Sequence, residues 1–312
     1  MRSVLRWGRS AYETDVDMAR EESVARSLGL AWALRPRVDL MPTERANALV
    51  VTSKVSVTGD VLDVVKPSIV ITTTSGYEHM DLDAHRARGI PALRCPLARR
   101  DAVVEHAIEA LIRLLRRLPE QEAPAEEGHW ARGDLPRLAP RGIARSTIGV
   151  VGLGVIGSKV ASLLTAMGAR VIGIDPYVDQ PGIEQMSLRE ALPLLDALTV
   201  HASVPDTARG LIGAEELEAL PRGAVVVNTA RGDLLDPVAA AELVQDGRLR
   251  GLAVDVFPKE PWPHLQAYAS PNILLTPHAS GYTHDLGERV AADVKAALTA
   301  WVKREELPWR VA

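Results

Sequence analysis

Short runs of apolar, β-branched residues alternate along this chain with longer segments in which apolar positions recur every three or four residues. In the first hundred residues the pattern predicts strands at 4–7, 48–52, 69–73 and 91–94, with helices over 15–28, 61–65 and 81–88. A long helix with the apolar stripe Val104, Ala107, Ile108, Leu111, Ile112 and Leu115 is expected over 101–117. The stretch 119–145, rich in Pro, Glu, Gly and Arg without sustained periodicity, reads as an exposed arm or loop. Six strands should follow, at 147–151, 169–175, 197–201, 224–228, 251–255 and 273–275, with helices over 156–167, 188–194, 214–220 and 237–246. Such alternation implies parallel sheets wrapped by helices. A last amphipathic helix, 285–303, has no strand after it and is expected to return to the first domain.

The fold class expected is therefore α/β: a doubly wound parallel sheet of the Rossmann type over 99–283, and a smaller flavodoxin-like α/β domain from 1–98 plus 284–312. The chain would cross between the two domains twice, and the cleft so formed is the expected substrate site.

At the strand 147–151, Gly152, Gly154 and Gly157 stand in G-x-G-x-x-G spacing ahead of a helix. Gly152 permits the tight turn, Gly154 lets backbone approach a pyrophosphate, and Gly157 lets helix and strand pack closely. The helix start at Val155 and Ile156 would aim free N–H groups and the positive dipole end at phosphate. Asp175 ends the next strand, where an acid accepts hydrogen bonds from the adenosine ribose and repels a 2′-phosphate. A dinucleotide, NAD rather than NADP, is the expected cofactor; a plain tight turn is the alternative.

Composition narrows the partners. With 47% hydrophobic and 24% charged residues the chain is an ordinary globular one, and 312 residues suit two domains. Lys+Arg 36 against Asp+Glu 40 gives a net charge of −4, which argues against nucleic acid or an acidic membrane as partner. Cys95 is the single cysteine, so no intramolecular disulfide can form. No signal peptide and no apolar run of about 20 residues is recognisable, and the cytoplasm is the expected location. No metal site is expected.

Ligands of open α/β sheets sit beyond the carboxyl ends of the strands, which gives three segments priority. Arg231, after the strand ending at Asn228, offers a fork for a carboxylate, or else a surface ion pair. His278, after the last strand, could shuttle a proton near neutrality, or be structural. Glu260 could orient that imidazole and support its charge, or be a solvated loop acid. As a set they meet the needs of carbonyl reduction beside a nicotinamide: an acid for the oxygen and a cation for the neighbouring carboxylate.

The fingerprint, Asn228-Thr229-Ala230-Arg231-Gly232, Asp255-Val256-Phe257 with Glu260-Pro261, and Thr276-Pro277-His278 together resemble the D-isomer-specific 2-hydroxyacid dehydrogenase family. Gly76-Tyr77-Glu78-His79-Met80-Asp81-Leu82 and Val103-Val104-Glu105-His106 extend the likeness over nearly the full chain. The resemblance implies Arg231 as substrate clamp, His278 as acid/base and Glu260 as its partner. It further implies backbone N–H groups at Ser75 and Gly76 on the substrate carboxylate, Asp255 at the nicotinamide amide, and a homodimer. His201, Thr229, Ala230 and His278 join the glycine loop and Asp175 in the expected cofactor-contact set.

Arg99 stands where the family often has Asn; with Lys54 it would favour a substrate carrying a second anionic group, unless both point to solvent. Trp7 could line the pocket or belong to the core. The activity expected is NAD-dependent interconversion of a small 2-keto acid and its D-2-hydroxy acid. Within the family, glyoxylate or hydroxypyruvate reduction and phosphoglycerate-type oxidation are rivals, the second weakened by the lack of a regulatory domain after Ala312. Outside it stand an NAD(H)-sensing corepressor-like protein and a hydrolase that uses bound NAD transiently.

Overall fold

A computed structural model describes residues 1–10, 12–203, 209–263, 268 and 270–312. The chain forms two compact units, Met1–Arg100 with Tyr282–Ala312, and Asp101–Gly281.

The first unit runs β1 (Ser3–Trp7), α1 (Asp15–Ser27), β2 (Ala31–Arg35), β3 (Ala48–Val51), α2 (Gly59–Val65), β4 (Ile69–Thr72), α3 (Leu82–Arg88) and β5 (Ala92–Arg94). Helix starts are set by local chemistry. Thr14 and Asp17 form a reciprocal capping box on α1, and the Asp81 carboxylate accepts from Ala84 N at 2.9 Å to start α3. The five strands pair in parallel in the order β2-β1-β3-β4-β5, so the order reverses at β1. The strand at 31–35 escapes the sequence pattern because it is a half-exposed edge strand without a sustained apolar run. Trp7 is core, its indole N–H donating to Leu40 O at 2.9 Å.

The second unit begins with α4 (Arg100–Leu115), followed by α5 (Leu118–Glu126) and α6 (Leu135–Leu138). The stretch expected to be an arm thus holds helical turns, begun by Pro119 and Pro136 near their first positions, where a missing N–H costs nothing. Then come β6 (Thr147–Val151), α7 (Gly157–Ala166), β7 (Arg170–Ile174), β8 (Glu184–Gln185), α8 (Leu188–Ala191) and β9 (Ala197–Val200). The unit closes with α9 (Ala214–Ala219), β10 (Val225–Asn228), α10 (Pro237–Gln245), β11 (Gly251–Val254) and β12 (Ile273–Leu275). Its parallel sheet has the order β12-β11-β10-β9-β6-β7-β8, one two-residue edge strand more than the periodicity predicts. Apolar clusters cover both faces: one carries Ile172, Leu198 and Val226, the other Ile148, Val150 and Val227. Strands buried on both sides explain the continuous apolar runs.

The final helix, α11 (Leu286–Lys303), packs on α1 within the first unit, and Leu286, Val290, Val294 and Leu298 share one apolar cluster with Val4, Val50 and Ile71. Among the described residues no helix is long and apolar enough to cross a membrane.

Candidate active site

In the parallel sheet of the second unit the strand order reverses between β6 and β9, and the crevice outside the carboxyl ends of that pair is where an open α/β sheet takes its ligand. Gly152 turns there with φ +86°, a left-handed conformation that a side chain resists, and a Cβ on it would meet the Ala202 backbone at 2.5 Å. A Cβ on Gly157 would fall 1.8 Å from the Gly152 carbonyl oxygen, so the start of α7 can lie against the turn only as glycine. Around Gly154 a Cβ would meet nothing within 4 Å, which leaves open space beside the turn. Val155 and Ile156 enter α7 half-buried, and Ile156 as N-cap gives the first amides no side-chain acceptor.

Asp175, just after β7, accepts from Leu153 N at 2.8 Å, Tyr177 N at 2.9 Å and Val178 N at 3.2 Å. Three of the roughly four lone-pair positions of a carboxylate are thereby used, and the group is held beside the glycine turn with capacity for a ribose hydroxyl. Two buried polar atoms nearby lack partners, Nδ1 of His201 and Oγ1 of Thr229. Such atoms are costly unless a ligand or water completes them. The open cradle, uncapped amides and orphaned atoms all fit a dinucleotide.

His201 follows β9, and its Nε2 lies 2.9 Å from Thr199 Oγ1. Burial pushes its pKa from 6.5 down to about 3, so the ring is neutral near pH 7. Below about 6.5 the unfolded chain takes up a proton that the folded protein refuses, and stability falls as pH drops through that window toward 3. His201→Gln, which cannot titrate, is expected to lose less Tm than the wild type between pH 6.5 and 4. Parallel curves in a thermal melt series would refute this.

Arg231 sits in the turn after β10, which Asn228 builds with both ends of its amide: Nδ2 donates to Arg231 O at 2.9 Å, and Oδ1 accepts from Ala230 N at 3.0 Å. Arg231 Nη1 donates to Ala230 O at 2.7 Å. The next residue, Gly232, touches the loop after β11, where a Cβ would come within 1.9 Å of Phe257 C. That contact seats the Arg231 turn on the segment leading to Glu260. Phe257 in turn stacks on Trp262, centroids 4.7 Å apart, and Trp262 on Tyr268 at 5.6 Å, bracing the loop.

Glu260 and His278 meet: Nδ1 of the imidazole lies 2.9 Å from Oε2 and 3.1 Å from Oε1, and Oε1 also accepts from Phe257 N at 3.1 Å. An ionised carboxylate can only accept, so the Nδ1 proton points at Glu260 and Nε2 is the free end of a half-exposed ring. His278 is held with φ +54°, uncommon for a residue with a side chain, its N–H donating to Asp255 O at 2.8 Å. Asp255 is the anchor of that loop. Its carboxylate accepts from Thr276 Oγ1 at 2.6 Å, Ala279 N at 2.8 Å and Ser280 N at 3.0 Å. Burial works to raise its pKa, but the bonds from Thr276, Ala279 and Ser280 outweigh it and leave the carboxyl below its ordinary value. Thr276 Oγ1, its proton given to Asp255, is 3.4 Å from Nε2 of His106 on α4.

Sequence reasoning singled out Asp255 as a cofactor contact and missed this supporting role, with Thr276 and His106 in it. Hydroxyl and acid do stand at the ends of neighbouring strands, the one available signal. In the first unit, Ser75 and Gly76 follow β4, with Ser75 Oγ buried and unpartnered, while Arg99 is half-buried and Lys54 exposed.

Residues 108–280 match the model of the D-isomer specific 2-hydroxyacid dehydrogenase, NAD binding domain. The chain is 35% identical over 276 residues to D-3-phosphoglycerate dehydrogenase of Mycobacterium leprae, a match covering 86% of this chain and 52% of that protein. It is 30% identical over 269 residues to D-3-phosphoglycerate dehydrogenase of Methanocaldococcus jannaschii, covering 84% and 51%. The chain thus spans about half the length of these curated relatives. Among solved structures it is similar to the TT0316 protein of Thermus thermophilus, at 28% identity and TM-score 0.81 over 99% of this chain and 100% of that one. It is also similar to D-lactate dehydrogenase of Aquifex aeolicus, complexed with NAD and lactic acid, at 25% identity and TM-score 0.80 over 97% and 96%. Doubly wound sheet, glycine turn and the matched NAD-binding segment agree, and the chain belongs to the D-isomer specific 2-hydroxyacid dehydrogenase family.

Proposed function

We propose that the protein interconverts a small 2-keto acid and the corresponding D-2-hydroxy acid with NAD. The observation that carries this reading is the His278–Glu260 pair at 2.9 Å, in the same unit as a turn shaped for a dinucleotide. Gly152, Gly154, Val155, Ile156 and Gly157 would hold the pyrophosphate, Asp175 the adenosine ribose, and His201, Thr229, Ala230, Asp255 and His278 the remainder of NAD. Bound NAD(H) supplies or accepts the hydride.

During reduction Nε2 of protonated His278 gives its proton to the substrate carbonyl oxygen, while Glu260 holds the Nδ1 proton and balances the charge on the ring. Arg231 holds the substrate carboxylate with its fork and polarises the carbonyl. Ser75 and Gly76 supply backbone N–H groups to the same carboxylate, and Arg99 binds substrate as well. In oxidation the neutral ring takes the proton back. A homodimer belongs to the same reading, on family likeness.

The test is loss of NADH absorbance with a panel of 2-keto acids, run in parallel with NADPH. Stoichiometric NADH consumption and a clear preference for NADH are expected, and the preference should shrink in Asp175→Ala as the carboxylate that repels a 2′-phosphate is removed. A protein that binds NADH tightly and reduces none of the panel would be a sensor instead. Unchanged cofactor preference in Asp175→Ala would remove its ribose role.

A further inference from the structure

The keto acid carries a side group, and the first unit contains a cavity of about 180 Å³ suited to receive one. Its walls include Tyr12, Glu13, Asp17, Arg20, Arg99 and Tyr282, all from the first unit. Tyr12 lies in the connection after β1, where the five-stranded sheet reverses its order, and Arg99 follows β5 on the same carboxyl edge. That edge at the reversal is where such sheets take ligands.

Charge accounting identifies what the cavity would hold. Glu13 is paired at 2.7 Å with Arg6, a guanidinium buried at the end of β1 that also donates to Glu21 at 3.0 Å. Burial raises the Glu21 pKa, which brings this buried group of one cation and two acids nearer to neutrality. Asp17 is taken by Arg20 at 3.0 Å and by the Thr14 cap. Asp293, beneath the segment that carries Arg99, accepts from Leu97 N at 3.0 Å and Ala98 N at 2.9 Å. Among the described residues the hydrogen-bond partners of Arg99 are neutral, Nη1 donating to Thr73 O at 2.7 Å and Nη2 to Tyr12 Oη at 3.3 Å, and the one acid within its electrostatic reach, Asp293, has its pKa raised by burial. Three of its five N–H groups remain, and Tyr12, whose oxygen accepts from Arg99, keeps its own proton to donate. Tyr282 packs edge-on to Tyr12, centroids 6.0 Å apart, and adds an apolar wall. The acids that line the cavity are engaged, which leaves the Arg99 guanidinium, the Tyr12 and Tyr282 phenols and the His284 imidazole to meet a ligand.

We infer that Arg99 and Tyr12 form a subsite for a second anionic group on the substrate, so that the preferred 2-keto acids carry a distal carboxylate or phosphate. This rests on the reading given above. Arg99 ties the cavity to Thr73, two residues before the Ser75 and Gly76 amides proposed to take the first carboxylate. Lys54 is exposed and does not line the cavity.

The test compares kcat/KM for oxaloacetate, 2-oxoglutarate and 3-phosphohydroxypyruvate with that for 2-oxobutanoate and 2-oxovalerate, whose side groups are uncharged. The wild type is expected to favour at least one anionic substrate, and which one separates carboxylate from phosphate. Arg99→Gln should lower kcat/KM for the anionic substrates by about 10- to 100-fold, the loss of charge-assisted hydrogen bonds, and lower it for the neutral pair by a clearly smaller factor, so that the anionic-to-neutral ratio falls. Tyr12→Phe, which removes a single oxygen, should move the same ratio in the same direction by a smaller factor. If Arg99→Gln melts below assay temperature, Tyr12→Phe alone decides. Equal losses on both classes, or a wild type that favours the neutral pair, would overturn the subsite and leave the keto-acid reading standing. Failure of all five to consume NADH would overturn both.

Discussion

His278→Ala is expected to lower kcat for keto-acid reduction by about 10²- to 10⁴-fold, the usual share of a positioned general acid, and to cost NADH affinity far less, since His278 is one of many residues proposed around the cofactor. The imidazole is half exposed and its side chain bonds to Glu260 alone among the described residues, so its removal deletes a proton donor and leaves the fold in place. The loop that carries it is fixed through backbone: His278 N donates to Asp255 O, and the two following amides donate to the Asp255 carboxylate. Glu260→Gln should fall between the two, since an amide can still accept from Nδ1–H without balancing the ring's charge. Stopped-flow NADH oxidation with fluorescence titration of NADH separates the two quantities. A His278→Ala protein that keeps most of its kcat would end the assignment of this residue as the acid.

Gly157→Ala should cost both stability and cofactor affinity. A methyl 1.8 Å from the Gly152 carbonyl oxygen and 3.0 Å from its carbon has backbone as its obstacle, so α7 must move away from the turn. Overpacking of this kind costs about 1–3 kcal/mol, and here the displaced element is the helix whose first amides face the cofactor. Gly154→Ala provides the contrast. Its Cβ meets no protein atom within 4 Å, so Tm should stay near the wild-type value while NADH affinity drops, because the methyl takes up room left for phosphate. Melting curves and NADH titrations of the two variants measure the difference. Unchanged affinity in Gly154→Ala would show that the cradle is not where the cofactor lies.

The doubly wound sheet was legible because its strands, buried on both faces, read as unbroken apolar runs that turn chemistry separates, and because glycine spacing marks the switch point. Two strands were not. Ala31–Arg35 is a half-exposed edge, and Glu184–Gln185 has two residues and no apolar content, so neither leaves a periodic trace. In the site, residues at strand ends stood out singly in the sequence, and the structure brings two of them, His278 and Glu260, to 2.9 Å. What sequence could not convey is the support beneath. Asp255 gathers Thr276, Ala279 and Ser280, an arrangement that depends on strands 20 or more residues apart becoming neighbours. Arg99 was similarly ambiguous, since its partners Thr73 and Tyr12 lie 26 and 87 residues away.

The helix α11 shares an apolar cluster with β1, β3 and β4, strands encoded more than 200 residues earlier. During synthesis the first hundred residues therefore emerge with one wall of their core still untranslated, whereas the second unit is continuous and can close on itself as soon as it leaves the ribosome. Of these two units, the one whose synthesis starts first is the one whose core is completed second.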